Sequence, residues 1–88
     1  MTANAFAELL RAYCLSVGAS VTSWGRTLRR NAEVGGVPHS PHLSWVGADV
    51  VYDAPIPIEQ REAFAEALGL RLIAEADHDH LQPADWRA

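Results

Sequence analysis

The chain is poor in positive charge and cysteine and has no long apolar run, and each shortage excludes a class of protein. Seven basic residues against eleven acidic ones give a formal net charge of −4. Sequence-independent nucleic-acid binding needs clustered Lys and Arg, so we expect no nucleic-acid partner. The lone Cys14 excludes an internal disulfide, and we interpret it as a buried, unreactive thiol. No stretch approaches the roughly 20 apolar residues of a membrane span, so we expect no membrane partner.

We also expect no secretion signal, because the first residues lack a basic segment followed by an uninterrupted apolar run. We therefore expect a protein that is cytoplasmic as synthesised. The 88 residues predict a single domain, 1–88. A domain of this size buries only roughly 60–65% of its unfolded surface, so a bound metal would add usefully to its stability.

Apolar periodicity predicts two helices. The first covers residues 4–15, capped by Thr2 or Asn4 and ended by Gly18, and its spacings of three and four place these residues on one face: Phe6, Leu9, Leu10, Tyr13 and Val17. The second runs from about Ile58 to Leu68, with Pro57 well placed at its start and Gly69 as its stop. Its inner side is predicted to consist of Ile58, Phe64, Ala65 and Leu68.

Between and after the helices, β-branched and apolar runs predict strands at 20–24, 44–52 and 70–74, and a last strand that ends at Pro83. Trp86 is predicted to fold back as a terminal anchor. The resulting fold class is α+β, a small antiparallel sheet with flanking helices.

The stretch 31–49 interrupts this regular pattern. The pair Gly35-Gly36 followed by Pro38 is a turn-forming combination. His42 then stands at the end of the loop, and Asp49 lies seven residues later in the strand 44–52. A histidine at a loop end and an aspartate on the next strand can converge on one metal ion.

A charge in such an apolar strand is costly unless it is paired or coordinated, so Asp49 indicates a nearby cation. Instead of a cation, Asp49 could accept hydrogen bonds from backbone amides or pair with Arg26. The segment Asp77-His78-Asp79-His80 is the other histidine-rich part of the chain. Two histidines and one carboxylate form a zinc ligand set that leaves a position open for water, as catalytic sites do.

The surroundings of these residues resemble a known family. Two stretches are similar to the pattern of the zinc D-Ala-D-Ala carboxypeptidases and L-alanyl-D-glutamate endopeptidases. The first consists of Asn31, Val34-Gly35-Gly36-Val37-Pro38, Ser40, His42-Leu43 and Asp49. The second is Asp77, three residues before His80. The resemblance covers residues 21–53 and 70–82. It implies a Hedgehog/DD-peptidase-like zinc site and cleavage of peptidoglycan stem peptides, on which the protein would act after its release.

Position by position, the resemblance implies Zn²⁺ bound by His42, Asp49 and His80. It implies Asp77 as the general base and Arg26 as the residue that grips a substrate carboxylate or oxyanion. Glu75 is a second candidate base, five residues before His80. Ser40 is expected to orient a ligand, His39 to face solvent, and His78 to bond substrate or a ligand or else to be structural.

The chain departs from the family pattern at Trp45, where a glycine is common, and at Trp24-Gly25, where the family has Gly-Tyr. Gly47 could make room for the Trp45 ring, or that ring could narrow the cleft. Two other functions therefore stay open. One is a non-catalytic wall-binding or phage structural module, which Trp45 favours. The other is an interaction domain with purely structural zinc, which the three-ligand set disfavours.

Overall fold

The computed structural model describes residues 1–37 and 39–86. In chain order the elements are α1 (Ala3–Val17), β1 (Ala19–Ser23), α2 (Leu28–Glu33), a 3-10 helix (Pro41–Ser44), β2 (Ala48–Tyr52), α3 (Ile58–Ala67), β3 (Leu70–Ala74) and β4 (Asp79–Pro83). Among the described residues, no helix is long and apolar enough to cross a membrane.

The four strands form one sheet in the order β1-β2-β4-β3, and every neighbouring pair is antiparallel. Helices α1 and α3 pack together and against the sheet. The predicted α+β class with an antiparallel sheet is confirmed. Because β2 and β4 are the central strands, residues on them are held by neighbours on both sides, which makes them the most rigid place in the sheet for a site.

Helix α1 follows its predicted pattern closely. Thr2 caps the N-terminus by accepting a hydrogen bond from the Ala5 N–H, and Gly18 ends the helix with φ 72°, a left-handed backbone suited to glycine. Phe6, Leu10 and Tyr13 are buried in the core, where they meet Val50 of β2 and Leu81 of β4. The helix thus covers one face of the central strands.

Three details of the sequence-based prediction are wrong. The strand predicted over 44–52 begins only at Ala48, because Pro41–Ser44 form a 3-10 helix and Trp45 turns into a left-handed backbone with φ 57°. The short helix α2 was not predicted. Phe64 is exposed instead of facing the core, and in α3 only Ala65 is fully buried. Pro38, predicted as part of the turn, lies outside the described residues.

A buried polar network joins helices α1 and α3 to strands β2 and β4. It lies on the face of the sheet that points away from His78 and His80. The Asp79 carboxylate, 2% exposed, accepts hydrogen bonds from the Tyr52 hydroxyl (2.6 Å) and from the Arg61 guanidinium. The hydroxyls of Tyr13 and Tyr52 are 2.7 Å apart. Burial raises the pKa of Tyr52 well above its usual value, and the bond to Asp79 raises it further. This network fixes β4 against α1, β2 and α3.

Candidate metal centre

Strand register places two of the predicted ligands side by side. Asp49 of β2 and His80 of β4 are directly opposite each other in the antiparallel pair. Side chains of such a pair project from the same face with their Cβ atoms about 4.5–5.5 Å apart. His80 Nδ1 consequently lies 3.2 Å from Asp49 Oδ1.

His42 reaches the same point from the 3-10 helix. Ser40 caps this helix by accepting a hydrogen bond from the His42 N–H (3.2 Å), and the His42 carbonyl accepts one from the Arg26 N–H (3.0 Å). Gly47 is needed here, because a Cβ at that position would lie 2.9 Å from the His42 nitrogen. The loop therefore holds a histidine that is almost fully buried, with its Nε2 3.4 Å from Asp49 Oδ1.

The hydrogen bonds of each imidazole leave one nitrogen free to bind a cation. His42 Nδ1 contacts the Trp24 carbonyl, which can only accept, so Nδ1 carries the proton and the Nε2 lone pair faces Asp49. His80 Nε2 lies 2.8 Å from Gln82 Oε1 and donates to it, so the Nδ1 lone pair faces Asp49. The ligand atoms of His42, Asp49 and His80 all lie within 4.8 Å of one another and could hold a metal ion.

The pKa of Asp49 depends on the protonation of the two histidines that face it. Burial by itself would raise the pKa of Asp49, but hydrogen bonds from His42 and His80 outweigh it, so the pKa lies well below the usual value. Those hydrogen bonds exist only while the facing nitrogens carry protons. When both imidazoles are neutral, lone pairs face a carboxylate, and a cation relieves that repulsion. Protons and metal thus compete for the same atoms.

Arg26 borders the cleft beside Asp49. Its guanidinium lies 3.8 Å from the Asp49 carboxylate and donates to Asn31 Oδ1 (3.2 Å). Asn31 is buried and in turn donates to the Val37 carbonyl (2.9 Å). Gly36 leaves room for this arrangement, because a Cβ there would come within 2.1 Å of Asn31 Oδ1. Asn31 therefore fixes both the loop and the Arg26 side chain. The Asp49–Arg26 pair, which the sequence offered as an alternative to a metal, is present together with the contacts of Asp49 to the histidines.

The turn between β3 and β4 supplies three further polar residues. Glu75 and His78 line the cleft of about 380 Å³ that also contains the three ligands and Arg26. Asp77 lies at the tip of the turn, with its side chain 89% exposed, and its carboxylate contacts His78 Nδ1 at 2.6 Å. His78 Nε2 is 3.8 Å from Asp49 Oδ1. Asp77 thus reaches the centre through His78, whereas Glu75 borders the cleft directly.

The contact with Asp77 has electrostatic consequences for both partners. The hydrogen bond to Asp77 raises the pKa of His78. The same bond lowers the pKa of Asp77. The pair therefore favours a protonated imidazole beside an ionised carboxylate at the edge of the centre.

Trp45 is accommodated differently from the expectation. Its ring lies over Gly25, where a Cβ would come within 1.8 Å of the indole, and not over Gly47. Trp45 is not among the residues that line the cleft. His39 is exposed, as expected, and Cys14 is half-buried, with burial raising the pKa of its thiol.

Gln82 is a site residue that the sequence analysis missed. His78, His80 and Gln82 alternate with Asp79 and Leu81, and the latter two are buried in the core. Period-two alternation therefore puts the first three on the cleft face of the chain. That spacing was the available signal, although nothing in it shows that Gln82 fixes the tautomer of His80.

Replacing Gln82 with alanine should weaken metal binding by about 10- to 100-fold, the usual effect of removing a partner that orients a ligand. The reason is that His80 then loses the acceptor for its Nε2 proton, and its free lone pair is no longer held toward Asp49. Titration of metal against a competing chelator measures the change. The exposed Gln60 of α3 supplies a matched control, since Gln60→Ala should bind metal like the parent. Equal affinities for both variants would show that Gln82 does not orient the ligand.

Comparison of the chain with protein-family models, with curated proteins and with solved structures finds no match.

Proposed function

We propose that the protein is a zinc-dependent peptidoglycan peptidase that cleaves stem peptides of the bacterial cell wall after its release. The observation that carries the proposal is the convergence of two imidazole lone pairs and one carboxylate at an open cleft. The resemblance of residues 21–53 and 70–82 to zinc carboxypeptidases and endopeptidases supports the choice of peptidoglycan as substrate. We propose the same ligands, His42, Asp49 and His80, that the resemblance implies.

The donor set fits zinc. In tetrahedral coordination with bonds of about 2.0–2.1 Å, ligand atoms lie roughly 3.3 Å apart. The distances from Asp49 Oδ1 to His42 Nε2 and His80 Nδ1 are 3.4 and 3.2 Å. Neutral imidazole nitrogens with one carboxylate suit zinc far better than magnesium or calcium, which take oxygen ligands. Three protein ligands also leave a coordination position open, as in catalytic sites and unlike structural ones.

Zinc in such a site supplies Lewis acidity, which activates water and polarises a carbonyl group. The chain's own residues would then position the peptide and move protons. Arg26 stands beside Asp49 with one guanidinium nitrogen committed to Asn31. Arg26 also lines the cleft, where its planar fork would hold a peptide carboxylate or the developing oxyanion.

For proton transfer we propose Asp77 as the acidic partner, acting through His78. His78 Nδ1 donates to the Asp77 carboxylate, and His78 Nε2 is directed at the cleft. A proton taken up by Nε2 from water in the cleft would leave an imidazolium stabilised by Asp77, which could then pass that proton to the leaving amine. Glu75 is the competing base, because it borders the cleft without an intermediary.

A metal measurement combined with wall digestion tests the proposal. Protein prepared without chelator should contain one zinc per chain and release stem-peptide fragments from purified peptidoglycan, identified by mass spectrometry. His80→Ala should lose both metal and digestion, while His39→Ala, at an exposed histidine, should keep both. Zinc uptake should weaken as the pH falls, because protons and metal compete for the imidazole nitrogens. Protein that takes up no zinc, or that holds zinc and digests nothing, contradicts the peptidase.

A non-catalytic wall-binding module remains the second candidate, and one observation favours it. Trp45 is 48% exposed although it is a large aromatic residue. Such a module would bind peptidoglycan without releasing fragments, which the same digestion experiment detects.

A further inference from the structure

We infer that Trp45 and Trp24 form a saccharide-binding platform beside the metal centre, where the indole of Trp45 stacks on a pyranose ring of the substrate's glycan strand. This inference rests on the proposed function, since it takes peptidoglycan as the polymer that is bound. The platform is defined as the side chains of Trp24 and Trp45 together with the backbone of Gly25.

The fold holds the Trp45 ring in place instead of leaving it to move in solvent. Its indole lies over Gly25, where any side chain would collide with it. The two indoles meet edge to face, with centroids 5.7 Å apart and planes at 68°. Trp24 Nε1 donates to the Trp45 carbonyl at 3.0 Å. An aromatic surface fixed in this way loses little conformational entropy when a ligand binds.

The backbone of Trp45 adopts a left-handed conformation that is unusual for tryptophan. Trp45 is the sole described non-glycine residue with positive φ, at 57°. A bulky residue in the left-handed region is strained, and such strain persists where the surroundings impose it. Glycine or asparagine would relieve it. A tryptophan kept in that conformation, with nearly half of its surface exposed, is consistent with a role outside the core.

The size and the chemistry of the Trp45 ring suit a single sugar. One indole is about the size of a single pyranose ring, whereas a stable protein interface buries on the order of 1,000 Å² or more. The C–H groups on one face of a pyranose carry slight positive charge and pack against the negative face of an aromatic ring, while its hydroxyls stay in water.

The platform is bonded to His42 of the candidate metal centre. The Trp45 N–H donates to the His42 carbonyl (3.2 Å), and the Trp24 carbonyl contacts His42 Nδ1. Both members of the platform are therefore bonded to one metal ligand, yet Trp45 does not line the peptide cleft. In peptidoglycan the stem peptide is attached to a sugar. A platform next to the cleft can thus hold the glycan while its peptide enters.

The test uses a peptide-free probe, so that its result does not depend on catalysis. Binding of β-1,4-linked N-acetylglucosamine oligomers is measured by calorimetry for the parent, Trp45→Ala, Trp45→Phe and Phe64→Ala. Phe64 is a matched control, because it is similarly exposed (44%) but lies on α3, which packs on β3 at the opposite sheet edge from β1 and Trp24.

Trp45→Ala should bind about two- to twelvefold more weakly than the parent, the effect of losing one aromatic contact. Trp45→Phe should retain part of the affinity, and Phe64→Ala all of it. Zinc uptake by Trp45→Ala, equal to that of the parent, shows that the loop still holds His42.

Three results would overturn the platform: no saturable binding by the parent at millimolar oligomer, equal binding by the parent and Trp45→Ala, or Trp45-dependent binding to phospholipid vesicles instead. Failure of the peptidase is recognised separately, because oligomer binding without peptide release contradicts only the enzyme.

Discussion

Replacing Asp79 with alanine should lower the free energy of unfolding by about 2–3 kcal/mol, because it removes a buried carboxylate that accepts two hydrogen bonds and leaves the partly buried Arg61 guanidinium without its counter-charge. Small domains have only about 5–15 kcal/mol in total, so the variant should lose much of its stability. The Tyr52 hydroxyl would also lose its acceptor. Urea denaturation followed by circular dichroism measures the change.

The control for this experiment is Asp85→Ala, which removes an exposed aspartate and should change the stability by less than about 0.5 kcal/mol. A double variant, Asp79→Leu with Arg61→Leu, should be more stable than Asp79→Ala, because removing both partners leaves no unpaired charge. A loss below about 1 kcal/mol in Asp79→Ala would show that solvent compensates Arg61 and that the network does not hold β4.

Much of the fold could be predicted because local signals agree with the tertiary packing. Gly18 ends α1 in a left-handed conformation, and the strand at 70–74 was predicted with its observed ends. Residues 44–47 could not be separated from β2 by hydropathy, because the apolar run through residue 52 suits a buried strand equally well. What decides it is a set of tertiary contacts: the Arg26 N–H bonds the His42 carbonyl, and Gly47 packs on Pro41.

The candidate centre was predictable at the level of residue types but not of atoms. His42, Asp49 and His80 come together, as expected. Which nitrogen of each imidazole is free depends on Gln82 and on the Trp24 carbonyl, and these partners follow from strand register and loop packing. Asp79 illustrates the same limit. It lies between two histidines that face the cleft, yet strand alternation turns its carboxylate into the core beside Arg61.

The assignment of the base is where sequence and structure diverge most. The resemblance implies Asp77, whose side chain is almost fully exposed and contacts the centre through His78. The structure places Glu75 directly on the cleft. Both carboxylates are in the same turn, so paired isosteric substitutions can separate their roles without disturbing the ligands.

Asp77→Asn is expected to fold, to bind zinc like the parent, and to digest peptidoglycan about 100- to 10,000-fold more slowly, the usual effect of removing proton transfer. Asparagine keeps the size of the side chain but cannot stabilise a protonated His78. Adding His78→Ala to this variant should cost little more, because residues that act as a unit are not additive. Glu75→Gln should keep the parental rate. The reverse pattern, with Glu75→Gln slow and Asp77→Asn fast at equal zinc content, assigns the base to Glu75 and leaves Asp77 as a surface partner of His78.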